Sequence, residues 1–93
     1  MHIQLEEHDA KGRAFVADAT GTLAEMTYSR AGAALLIIDH TEVGETQRGQ
    51  GVGRQLLHKI VEYARAEQLK ILPLCPYAKN VFEKEAEIRD VLR

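Results

Sequence analysis

The sequence predicts an α/β fold of the α+β type, in which an antiparallel meander is followed by one strand–helix–strand crossover and a C-terminal helix. Two observations predict it. Up to residue 43, apolar and polar residues alternate with a period of two, and short turn sequences separate the runs. After a glycine-rich stretch at residues 49–53, apolar residues recur with a helical period, and another short apolar run follows. Because 93 residues leave no room for a second core, we predict a single domain, residues 1-93.

Four strands are predicted in the first half of the chain. Turn-forming sequences at residues 9–12, 18–21 and 30–32 separate them, and connections this short imply antiparallel neighbours. The third strand alternates most clearly, because Ala24, Met26 and Tyr28 fall on one face. The fourth strand is the most apolar and is expected to lie centrally. The predicted strands are residues 3–7, 13–18, 22–29 and 34–43.

The stretch between the fourth strand and the following helix carries glycines at three alternate positions, Gly49, Gly51 and Gly53. Peptide units without side chains, placed at the start of a helix, can turn their N–H groups towards an anion. Arg48 and Arg54 flank them and could supply charge-assisted hydrogen bonds to phosphate. The spacing is neither that of a P-loop nor that of the G-x-G-x-x-G dinucleotide fingerprint. We therefore interpret the stretch as a pyrophosphate cradle, and a glycine-rich turn without a ligand remains the alternative.

A long amphipathic helix follows the glycines, and a strand at residues 70–75 comes next. A helix between two strands makes a right-handed crossover, so this strand should run parallel to the fourth. Pro73 lacks an N–H and should lie at a sheet edge or where two strands part. A second helix is predicted at residues 77–85, and residues 86–93 either prolong it or form a separate turn. The first helix should bury one stripe of residues, namely Val52, Leu56, Leu57, Ile60, Val61 and Ala64.

Composition restricts the classes of function. The net charge of −2 argues against broad affinity for nucleic acid or for an anionic membrane surface. One cysteine excludes an internal disulfide framework, and no apolar run approaches the roughly 20 residues that span a bilayer. The polar N-terminus lacks the features of a signal peptide, so a cytoplasmic location is expected. The histidines show no metal-ligand spacing, and no metal is expected.

Four segments resemble a known family. Residues 48–53, Arg-Gly-Gln-Gly-Val-Gly, resemble the R/Q-x-x-G-x-G/A acetyl-coenzyme A signature of the GCN5-related N-acetyltransferases. Residues 78–84, Ala-Lys-Asn-Val-Phe-Glu-Lys, are similar to a later helix of that family. The sequences His-Thr-Glu-Val at residues 40–43 and Leu-Pro-Leu-Cys-Pro-Tyr-Ala at residues 72–78 resemble its small YjdJ-like or NATD1-like branch.

The resemblance implies a minimal version of that fold, with a mixed sheet splayed open between the fourth and fifth strands. Acetyl-coenzyme A would enter the splay, with its pyrophosphate on the glycine amides and its pantetheine arm along the edge of the fourth strand. Further strands usual in the family are missing, so the acceptor side should be shallow or completed by a second subunit in a homodimer. The residues that would contact the cofactor are Thr41, Val43, Arg48, Gly49, Gln50, Gly51, Val52, Gly53, Arg54 and Asn80.

The implied reaction transfers an acetyl group to an amine on a small molecule or a peptide, by direct attack or by way of Cys75. His40 and Glu42, expected on one strand face with Leu36 and Ile38, could relay the amine's proton through water. Phe82 stands where many members carry a tyrosine that protonates the thiolate. Packing or solvation remains the alternative for each of the three catalytic candidates, Cys75, His40 and Glu42.

Two other classes of function stay open. One is a module that binds coenzyme A or acyl-coenzyme A with little or no turnover, which the shallow acceptor side and Phe82 favour. The other is a protein-interaction domain with a vestigial cradle, which would have no affinity for coenzyme A.

Overall fold

The computed structural model describes residues 2–93 and contains a five-stranded mixed sheet in the order β1-β2-β3-β4-β5. The first four strands are antiparallel neighbours, and β5 pairs parallel to β4 across the helical crossover. The predicted meander, crossover and fold class are therefore confirmed. The strands are β1 Gln4–His8, β2 Lys11–Asp18, β3 Gly21–Arg30, β4 Leu35–Val43 and β5 Lys70–Pro73; the helices are α1 Val52–Glu67 and α2 Pro76–Lys84, with 3-10 segments at Glu45–Gln47 and Ala86–Val91.

The core lies between one face of the sheet and the helices. Ala24, Met26 and Tyr28 of β3 face it, as their alternation predicts, and each is no more than 2% exposed. The apolar stripe of α1 packs on the same face, because a helix with one apolar side must bury it against another element. Among the described residues, no helix is long and apolar enough to cross a membrane. The α1 residues in the core are those of the predicted stripe, Val52, Leu56, Leu57, Ile60, Val61 and Ala64, together with Gly53.

An irregularity in β4 corrects the predicted faces of that strand. Tyr28 pairs with Ile38, whereas Thr27, the residue before it in β3, pairs with His40. Asp39 therefore has no partner in β3 and is the extra residue of a β-bulge. One inserted residue exchanges the two faces of a strand beyond it. The expectation that His40 and Glu42 share a face with Leu36 and Ile38 is therefore wrong. Beyond the bulge, Thr41 and Val43 face the core. His40 and Glu42 face the opposite side of the sheet, which no helix of the described residues covers and which we call the open side.

The sheet splays where β5 ends. The parallel pairs with β4 run from Leu35↔Lys70 to Ile38↔Pro73, and the amides of Leu74 and Cys75 both donate to the Ile38 carbonyl, at 3.0 and 3.3 Å. The strand is thus shorter than residues 70–75, since Pro73 has no N–H with which to continue the ladder. From residue 39 to residue 43, β4 has no strand partner on that side within residues 2–93.

The C-terminal part packs against α1 and β5. After α2, the chain forms a separate 3-10 segment rather than a longer helix, and it buries Ile88 and Val91. Leu92 then forms an isolated parallel bridge to Ile71, and the Arg93 amide donates to the Ile71 carbonyl at 3.0 Å. These contacts occupy part of the free edge of β5.

A polar cluster ties β1 to β3 and α1 at the end of α1 away from the glycines. One carboxylate oxygen of Glu7 accepts hydrogen bonds from the hydroxyls of Tyr28, at 2.9 Å, and Tyr63, at 3.1 Å. Arg30 pairs with the other oxygen at 3.2 Å and also donates to the Tyr63 hydroxyl. Burial acts to raise the pKa of Glu7, but the three donors outweigh it and hold that pKa below its ordinary value.

We expect Glu7→Gln to lower the free energy of unfolding by roughly 1 kcal/mol at pH 7, because a charged acceptor is lost while the buried Tyr28 remains. A carboxylate whose pKa is lower in the folded state stabilises the protein above its unfolded pKa, and this stability is lost as the pH falls through the folded value. The difference between variant and wild type should therefore shrink between about pH 5 and pH 3. Denaturant unfolding across that range measures it, and an equal difference at both ends would contradict this account of the cluster.

Candidate active site

The glycine-rich stretch forms a left-handed approach to α1. Gly49 has φ 78° and Gly51, which caps the helix, has φ 71°, a conformation that favours glycine. The first hydrogen bond of the helix runs from the Gln55 amide to the Gly51 carbonyl, at 3.1 Å. Within residues 2–93, none of the amides of residues 49–53 donates a hydrogen bond. Free amides at the positive end of a helix dipole are the arrangement that binds an anion.

Gly53 has a different role from the other two glycines. It lies inside the helix and is buried, and a β-carbon placed on it would lie 2.7 Å from Cζ and 2.8 Å from Oη of Tyr77. The missing side chain therefore lets the Tyr77 ring pack on the first turn of α1. The sequence pattern assigned all three glycines to one function, and this contact between α1 and α2 could not be predicted from it.

The two arginines beside the glycines differ in their surroundings. Arg54 forms a bidentate pair with Glu85, at 2.6 and 2.9 Å, and His58 contacts the same carboxylate at 2.9 Å. The Arg54 guanidinium holds the pKa of Glu85 below its ordinary value; His58 adds to this effect, and desolvation opposes it. The predicted role of Arg54 as a phosphate ligand therefore has a competitor, because its guanidinium is already paired with a carboxylate.

Arg48 is the freer cation. Its Nε donates to the Val43 carbonyl at 3.2 Å, and its terminal nitrogens make no hydrogen bond to the residues that the structure describes. Gln50 donates from its side chain to the Thr46 carbonyl at 3.1 Å, which stabilises the loop from within. Val52, one of the predicted cofactor residues, has a buried side chain, so only its backbone amide is left to contact a cofactor. Asn80 is exposed on α2, and its side chain makes no hydrogen bond to residues 2–93.

Cys75 lies at the splay between β4 and β5. It is 5% exposed, and its Sγ is 3.0 Å from the Thr41 hydroxyl across the gap. Thr41 reaches the thiol because the bulge at Asp39 turns it to the core-facing side. Thr41 is not a general base, and His40 points to the opposite face of the strand. The structure thus brings together Thr41 and Cys75 and separates Cys75 from His40 and Glu42.

The open face of the sheet beside the splay is polar. Thr27 pairs across the strands with His40, and Glu25 pairs with Glu42. Arg13 neutralises Glu25 at 2.9 Å, whereas Glu42 forms no ion pair among the described residues. His40 and Glu42 are exposed, one residue apart, and face the same side. They can exchange protons with water and with a solute on this face.

A mixed sheet that splays beside a glycine-rich helix start is the architecture of an N-acetyltransferase of the GCN5-related class. The family described as GCN5-related N-acetyl-transferase matches residues 13–91, and the chain belongs to it. The chain is 32% identical to protein NATD1 of Gallus gallus over 76 residues, which are 80% of this chain and 69% of that protein. This similarity agrees with the NATD1-like branch that the motifs predict.

Solved structures agree with this assignment. A GCN5-like protein from Staphylococcus aureus is 38% identical, with a TM-score of 0.73 over 97% of this chain and 87% of that one. An aminoglycoside 6′-N-acetyltransferase complexed with coenzyme A shares the fold, with a TM-score of 0.60 at 10% identity. The match covers 71% of this chain and 38% of that enzyme.

Proposed function

We propose that the protein binds acetyl-coenzyme A and transfers its acetyl group to an amine. The observation that carries the proposal is the set of free amides at residues 49–53, which lie at the start of α1 directly after the unpaired end of β4. The residues present fit the donor. The amides and Arg48 would hold the diphosphate, and the free edge of β4 near Thr41 and Val43 would hold the pantetheine arm. Asn80 is a further proposed contact.

Acetyl-coenzyme A supplies a thioester that an amine can attack, with formation of the C–N bond and release of the thiolate of coenzyme A. In our proposal the chain orients the amine on the open face, and His40 and Glu42 accept its proton through water. A β4 backbone amide near Glu42 or Val43, left without a strand partner by the splay, would stabilise negative charge on the carbonyl oxygen. Phe82 is 2% exposed and has no proton to donate, so the thiolate leaves without a tyrosine acid at that position.

Direct transfer is favoured over a route by way of Cys75. A helix N-terminus can activate a nucleophilic cysteine, and Cys75 is the N-cap of α2, but Cys75 is only 5% exposed. The other common activator is a neighbouring base. The Cys75 thiol contacts the Thr41 hydroxyl instead, and the two candidate bases face away from it. The geometry therefore supports a packing and positioning role for the thiol.

We accordingly expect Cys75→Ala to keep kcat/KM within about threefold of the wild-type value, since the variant removes only one sulfur contact. Steady-state acetylation of the same amine by both proteins measures this. Thr41→Val, which removes the hydroxyl and keeps the shape, is the matched variant and should behave alike. Loss of 1000-fold or more in Cys75→Ala alone would establish the acyl-cysteine route.

Acetyl transfer itself is tested with a panel of small amines, lysine peptides and peptide N-termini. Release of free coenzyme A should depend on both acetyl-coenzyme A and the acceptor. Calorimetric titration with coenzyme A runs beside it, because binding without turnover on any acceptor would support the binding module instead. A protein that neither binds nor turns over would be the interaction domain.

A further inference from the structure

Tyr77 stands at the edge of the cradle and takes part in none of the chemistry described above. It is the second residue of α2, and its ring covers the bare Cα of Gly53 on α1. Tyr77 as a residue is 38% exposed. The phenol therefore lies beside the first turn of α1, next to the free amides.

The surroundings of the phenol leave its proton available. The hydroxyl of Tyr77 has no hydrogen-bond acceptor among the described residues. Burial, followed by the charge of Glu85, raises the pKa of Tyr77 above its ordinary value, so the proton is retained at neutral pH. An O–H that has no acceptor of its own is free to donate to an incoming anion.

We infer that Tyr77 extends the cradle with a side-chain donor, so that its O–H donates to a phosphate oxygen beside the amides of residues 49–53. The inference rests on the proposed coenzyme A site and adds a residue that recognises its diphosphate. The inference also explains why residue 53 is a glycine, because any side chain there would push the phenol away from the anion.

The test compares Tyr77→Phe with Tyr63→Phe, two variants that each remove one phenol hydroxyl. Tyr77→Phe keeps the ring on Gly53 and removes the O–H, and a hydrogen bond to a charged group of this kind corresponds to about a tenfold to hundredfold change in affinity. We expect the Kd of coenzyme A, measured by calorimetry, to rise by about that factor. Tyr63→Phe removes a hydroxyl that contacts Glu7 and Arg30, and it should leave the Kd unchanged.

A second ligand separates a lost donor from a general disturbance. Pantetheine lacks the diphosphate, so its affinity should be equal in wild type and Tyr77→Phe. An unchanged Kd for coenzyme A in Tyr77→Phe would overturn the inference and leave the proposed function standing. Tighter binding would also overturn it, because the phenol would then occupy the anion's place. Absence of binding by the wild type would overturn both the inference and the coenzyme A site.

Discussion

Gly51→Glu is expected to weaken coenzyme A binding by at least about 100-fold, because the change acts on the cradle in two ways. A carboxylate beside the free amides would repel the diphosphate and could take its hydrogen bonds, each of which is worth about 1.5–3 kcal/mol to a charged group. The backbone at φ 71° also disfavours any residue with a β-carbon, which costs about 1–2 kcal/mol of folding free energy. Calorimetric titration of the variant with coenzyme A measures the loss.

Gly32→Glu is the matched control for the backbone cost and for the added charge. Gly32 has φ 75°, open space around it, and a position before β4, at the opposite end of that strand from the cradle. Both variants should lose similar stability in denaturant unfolding, and Gly32→Glu should keep wild-type affinity. Equal affinity of the two variants for coenzyme A would argue strongly against an anion at Gly51.

The double variant His40→Ala/Glu42→Gln is expected to lower kcat/KM for amine acetylation by about 10²- to 10⁴-fold, the usual contribution of general base catalysis. The two side chains face the open side of the sheet, away from the cradle, so the affinity for coenzyme A should not change. Steady-state kinetics together with calorimetry give both values. A second double variant, His8→Ala/Glu62→Gln, makes the same chemical changes where the side chains are 93% and 76% exposed, and it should retain full activity. Wild-type kcat/KM in the first variant would exclude both residues as the proton route.

The strands and α1 could be predicted because the period of apolar residues is a local property of the sequence, and burial of the apolar face in the core stabilises each element. The alternation at Ala24, Met26 and Tyr28 and the α1 stripe both faced the core as expected. The parting of the strands near Pro73 could also be predicted, since proline has no N–H to donate to a neighbouring strand.

The faces of β4 could not be predicted, because the bulge at Asp39 depends on pairing with β3 and leaves no mark on the sequence of β4 itself. An uninterrupted alternation over residues 36–43 puts His40 and Glu42 on the core-facing side, whereas the bulge turns both to the opposite face. The residues that contact the cradle could not be predicted either, because they come from a distant part of the chain. Tyr77 and Glu85 lie about 24 to 31 residues from Gly53 and Arg54 along the chain, and α2 brings them there only after the crossover is complete.

The most direct test of the cradle follows the backbone amides themselves. Coenzyme A titrated into ¹⁵N-labelled protein should shift the amide resonances of residues 49–53 the most, and those of β4 from residue 41 onward less. Saturation should give the same Kd as calorimetry. Unperturbed resonances at residues 49–53 at saturating coenzyme A would contradict the proposal that the start of α1 binds the diphosphate.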